Sequence, residues 1–243
     1  MNRRLLLAGL PAIIVSRQGH GTTGQYTTFR NLRLWPGDAQ GVSCRAQIMV
    51  EPSGGMCMRI RVRDVGQIVL PSWYGNARVV GRLTARDREV LLVSFEGNHG
   101  TGVSQRLGAL IGMDNTRQLR VLGIETLEAE DNQVSTANRS TLGAVTGQPG
   151  GFAVSVVVRT DIEHHGRRQP SRVARWRTEL PWDGQGVIPA PPPPPGAQEE
   201  HARVDRTRAA VADWLAEAPR TDLREAPFEE WGLWNVGLIE QPA

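Results

Sequence analysis

Lysine is missing from this chain; all 28 basic residues are arginine. That absence removes several chemistries at once. A Schiff-base lysine, a serine–lysine dyad and the lysine of a phosphate-binding loop are all unavailable. Cysteine is scarce, with only Cys44 and Cys57 and no Cys-x-x-Cys pair, which disfavours structural zinc. There are five histidines. Two of them, His164 and His165, are adjacent, so on a strand they would point to opposite faces and could not share an ion. No Gly-x-Ser-x-Gly nucleophile elbow occurs. The net charge of +3 is small and selects neither nucleic acid nor a membrane surface as partner.

The N-terminus is the most informative stretch present. Arg3 and Arg4 precede an apolar run over residues 5–15 that Pro11 interrupts. A cationic end followed by a short greasy segment is the physics of an export signal. The run is too short for the roughly 20 residues a membrane-spanning helix needs. The nearest small-x-small cleavage site is Gly19-His20-Gly21. The arginine pair followed by Leu5 and Leu6 resembles a twin-arginine export signal over about ten residues. That resemblance implies a periplasmic or secreted protein, with residues 1–21 as the signal segment.

A hydrophobic content of 40% with 22% charged residues suits a folded core. Short alternating runs separated by glycine-rich turns predict strands at 26–35, 42–51, 56–63, 67–70, 77–84, 89–95, 118–128, 152–163 and 172–180. Alternation is clearest in 56–63, where Met56, Met58, Ile60 and Val62 fall on one side and the arginines on the other. Pro52-Ser53-Gly54-Gly55 predicts a hairpin turn before it. The expected fold is all-β, an antiparallel β-sandwich or open barrel over residues 22–186. Leu107, Leu110 and Ile111 are at helical spacing and predict one short helix over 104–113. The polar stretch 130–151 predicts a long loop. Prolines 191–195 make 187–198 a stiff proline-rich linker. Beyond it, 199–243 reads as a C-terminal helix, ending near Ala218 before Pro219, and an aromatic tail carrying Phe228, Trp231 and Trp234. The tail has too many aromatics to stay wholly in water.

The sharpest candidate for chemistry is Gly97-Asn98-His99-Gly100-Thr101-Gly102-Val103-Ser104. Its glycines and final serine match a phosphate loop, except that Val103 stands where the lysine must be. The following apolar segment, 119–126, supplies Glu125 only, so nucleotide hydrolysis is disfavoured. A helix start at Gly100, Thr101, Gly102 and Ser104 could still bind an anion through backbone amides. Glu96, His99 and Ser104 are the weak catalytic candidates, an acid, a base and a hydroxyl close in sequence.

Arg45, Arg59, Arg61 and Arg63 predict a basic stripe on one strand face, suited to phosphates, an anionic lipid surface or an acidic polysaccharide. It lacks the interleaved aromatics that stacking on nucleic acid uses. Cys44 and Cys57 form the disulfide candidate if the space is oxidising, although strand parity puts them on opposite sides of a regular hairpin. A bulge near Gly55 would be needed to bring them together.

The expectation is an exported, non-catalytic binding or structural protein without a cofactor. Its expected partner is an anionic ligand or another envelope protein, with membrane contact only through the export segment. The alternatives are a hydrolase working at the Glu96–Ser104 loop and a subunit of a larger envelope assembly.

Overall fold

The computed structural model describes residues 26–228 apart from 101, 135–136 and 165–166. The expected export signal over residues 1–21 and the tail residues Trp231, Leu233 and Trp234 lie outside the described residues. Four strands form a small antiparallel sheet in chain order: β1 (Tyr26–Leu32), β2 (Val42–Val50), β3 (Met56–Val62) and β4 (Gly66–Pro71). Their alternation sends Ala46, Met58, Ile60, Ile68 and Leu70 inward.

The strands between Arg78 and Pro181 form one large antiparallel sheet. Its strands are β5 (Arg78–Ala85), β6 (Arg88–Gly100), β7 (Val103–Met113), β8 (Leu119–Val134), β9 (Ala137–Gln148), β10 (Gly151–His164), β11 (Arg167–Arg168) and β12 (Arg172–Pro181). Each pairs with its sequence neighbour up to β10, which pairs on its other side with both β11 and β12. The mostly antiparallel β architecture expected from alternation is therefore present.

The large sheet buries both faces. Leu91, Val93 and Phe95 of β6 join the inward residues of the small sheet in one core, the sandwich interface. Val90 and Leu92 point the other way, into a second core with Leu110, Leu122, Phe152, Val154, Val156 and Leu180. That second core exists because the sheet curls on itself. A Cβ built on Gly147 of β9 would lie 2.2 Å from the Thr84 carbonyl oxygen of β5, a strand four places away in the sheet, and one on Gly143 would lie 2.0 Å from that of Thr126 on the neighbouring β8. Only glycine lets backbone approach backbone so closely. Single-residue register shifts leave Leu122 and Leu127 of β8 as extra residues, and such bulges bend a strand.

Two expectations need correction. Residues 104–113 are strand β7, not a helix. With Leu107, Ala109 and Ile111 in one core and Leu110 in the other, period two disappears into a continuous apolar run that also fits a helix. The expected loop over 130–151 is mostly strand, the end of β8 and all of β9. On the inner side of β9, Thr141, Gly143 and Gly147 take the places of the usual apolar residues, with Val145 between them.

One helix, α1 (Glu199–Glu217), follows the proline-rich segment. It buries Val204, Val211 and Leu215, the last two in the sandwich core. Glu199 and Glu200 stand in its first turn, where carboxylates complement the helix dipole. Its C-terminal end is capped from β8: Arg120 Nη2 donates to the Leu215 carbonyl at 2.6 Å. Residues 221–223 then run beside β4, with Val69 N–H donating to Thr221 O and Leu223 N–H to Val69 O. Leu223 is buried, and the Phe228 ring lies 5.8 Å from Phe95. Among the described residues no helix is long and apolar enough to cross a membrane.

Candidate functional site

The glycine-rich segment is the end of the β6–β7 hairpin. Register sets His99 across from Ser104 and Glu96 across from Arg106. Because strand β7 follows, there is no helix start for Gly100, Gly102 and Ser104 to occupy, so the anion site expected there lacks its dipole; Thr101 lies outside the described residues. Glu96 is half-buried and accepts a hydrogen bond from Asn76 Nδ2 at 3.1 Å. Its other carboxylate oxygen has no hydrogen-bond partner among the described residues.

The basic stripe is built by the β2–β3 ladder. Arg45 lies directly across from Arg61, and Arg59 across from Gln47, all on the face turned away from the sandwich core. Thr28 and Gln67 complete the Arg45–Arg61 row, on β1 and β4. The Arg45 guanidinium sits 4.0 Å over the ring of Tyr26, a cation–π contact that fixes its direction. Arg61 is exposed, Arg59 half-buried. Among the described residues, none of these three forms an ion pair with a carboxylate. Arg63 stands just past the end of β3 and pairs with Asp64 at 3.3 Å. The stripe is thus a cluster of three arginines, with the fourth engaged elsewhere. Like charges directly opposite on adjacent strands cost a few tenths to about 1 kcal/mol, a cost that a bound anion would reverse.

The two cysteines do not form a disulfide. Register puts Cys44 across from Val62 and Cys57 across from Met49, so five residues and opposite faces separate them. The bulge that could have brought them together is absent from the β2–β3 ladder. Burial pushes the Cys44 thiol up to about 12. Cys57 is also raised, by burial and then by the neighbouring Glu51 carboxylate.

Sequence reading passed over a buried charge cluster between α1 and the large sheet. Arg208 meets Glu125 of β8 with two bonds, Nε to Oε1 at 2.7 Å and Nη2 to Oε2 at 3.0 Å, and also bonds Asp205. Burial opposes the Arg208 charge, but Glu125 and Asp205 outweigh it and hold the guanidinium above its ordinary value. His201 Nε2 lies 3.2 Å from Asp205 Oδ2 and 3.4 Å from Thr178 Oγ1. Its ring stacks on Trp176 with centroids 4.8 Å apart. Hydroxyl and carboxylate address the same ring nitrogen, whereas a triad places them on opposite nitrogens. The cluster holds α1 in place. The i, i+4 and i, i+3 spacing of His201, Asp205 and Arg208 was visible in the sequence; the partner on β8 was not.

Beside this cluster an open groove of about 420 Å³ runs between β12 and the start of α1. No family model matches the chain, and no curated protein or solved structure is significantly similar to it.

Proposed function

We propose that the protein is an exported, non-catalytic binding module whose small sheet meets an anionic ligand through its outer face. The observation that carries this reading is the exposed Arg45–Arg61 pair, two arginines directly across from each other on adjacent strands, neither of them ion-paired to a carboxylate among the described residues. A rigid ladder positions them, the Tyr26 ring orients one of them, and an anion with oxygens a few ångströms apart would bridge both. The arginine-leucine leader supports export, which N-terminal sequencing of protein from the envelope fraction would check.

Titration calorimetry with inorganic polyphosphate and with an acidic polysaccharide tests the ligand class. Binding should weaken strongly as salt rises and be lost in Arg45→Gln/Arg61→Gln. Equal affinity of that double variant would overturn the reading. One observation favours a second reading, hydrolysis at the Glu96–Ser104 loop: register puts His99 opposite Ser104. Release of nitrophenol from simple esters, abolished by Ser104→Ala, would establish it; no turnover would dismiss it.

A further inference from the structure

Sheet edges are sites of unsatisfied backbone donors and acceptors, and folded proteins blunt them. Three of the four edges here are blunted. On β4, residues 221–223 take the bonds of Val69. On β1, a register shift follows Phe29, Asn31 adopts a left-handed φ of 56°, and Arg82 Nη2 donates to the Arg30 carbonyl at 3.0 Å. On β5, the register shifts between Val79 and Gly81, and the far end abuts β9.

The fourth edge, β12, is different. It pairs with β10 from Arg172 to Pro181 without a shift. Among the described residues, no backbone bond ties 172–180 to anything except β10. The groove of about 420 Å³ opens beside it, lined by Val173, Ala174, Arg175, Trp176, Gln198 and His201.

We propose that the outer edge of β12 accepts an extended acidic peptide as an added strand of the large sheet. Main-chain bonds would supply the affinity and the groove would take alternate side chains. Charge selects the occupant. Arg172, Arg175 and Arg177 are exposed along this strand, and among the described residues only Arg177 of the three is ion-paired, to Glu179 at 2.8 Å. β12 carries three arginines and one glutamate, so a second copy would set net positive charge against net positive charge and self-pairing is disfavoured; an acidic strand reverses that sign. This surface is separate from the Arg45–Arg61 face, and the inference does not rest on that reading.

The test uses an acetylated nine-residue peptide alternating glutamate and valine, with a lysine-for-glutamate counterpart. Hydrogen exchange followed by NMR should show new protection at alternate amides of β12. The lysine peptide should not bind. Arg172→Glu/Arg175→Glu should weaken the acidic peptide by about tenfold or more, while Arg45→Gln/Arg61→Gln leaves it unchanged. Any of four results would overturn the proposal: no binding, equal binding of the lysine peptide, protection confined to another surface, or a concentration-dependent dimer through β12 in place of peptide capture.

Discussion

Replacing Arg208 with methionine should be among the most damaging substitutions in the chain. The guanidinium is 6% exposed and bonds two carboxylates at once, Glu125 at 7% and Asp205 at 1%. Removing it leaves both in a low-dielectric seam with no guanidinium between them. Breaking a buried pair from one side costs about 3–5 kcal/mol. At roughly 2–4 °C per kcal/mol for a domain of this size, the midpoint should fall by about 6–20 °C. Chemical denaturation at neutral pH gives the free energy, with an unchanged slope showing that the unfolded state is unaltered. The double variant Glu125→Leu/Arg208→Met should recover about 1 kcal/mol or more relative to Arg208→Met, since it removes one orphaned charge. High salt should leave the single-variant loss intact, because buried pairs are screened much less than exposed ones. A loss below about 1 kcal/mol for Arg208→Met would refute the reasoning and place the cluster with ordinary surface pairs.

Three further outcomes are expected. Gly147→Ala must push a Cβ against the Thr84 carbonyl oxygen at 2.2 Å, whereas Gly150→Ala meets nothing within 4 Å; thermal unfolding should show a cost of about 3 kcal/mol or more for the first and under about 0.5 for the second. Arg120→Met removes the 2.6 Å bond to the Leu215 carbonyl and the 3.6 Å contact with Asp114, so stability should fall by about 1.5–3 kcal/mol and amide exchange at the end of α1 should quicken. Burial raises the Cys44 thiol to about 12, so the folded state keeps a proton that the unfolded chain releases near pH 8.5; that contribution is whole below pH 8.5 and is lost as pH rises toward 12. Denaturation of Cys44→Ala against the parent from pH 7 to 11 should therefore show a flatter alkaline decline in the variant.

Alternation carried the fold wherever one face met water. In β3, arginines at 59 and 61 between Met58, Ile60 and Val62 declare the inner side without ambiguity. Where both faces are buried, as in β7, the same rule fails, because Leu107, Leu110 and Ile111 suit a helix as well as a strand. β9 fails for the opposite reason. Its closest approaches are made by glycine, which a search for apolar residues cannot register.

For the candidate site, the parity argument placed Arg45, Arg59 and Arg61 on one side and separated Cys44 from Cys57, since both depend on a single hairpin. It could not foresee the Glu125–Arg208 bond, which joins residues 83 apart in the chain. Helical spacing exposes only the helix half of that cluster. Nor could it show which sheet edges are covered, because the segment on β4 arrives from beyond α1.

The most direct test of the account is to see where an anion lands. Polyphosphate added to labelled protein should shift the side-chain Nε–H resonances of Arg45 and Arg61 together, with Arg59 following, and should leave that of the buried Arg208 unmoved. Shifts centred on any other surface, or none up to millimolar ligand, would contradict it.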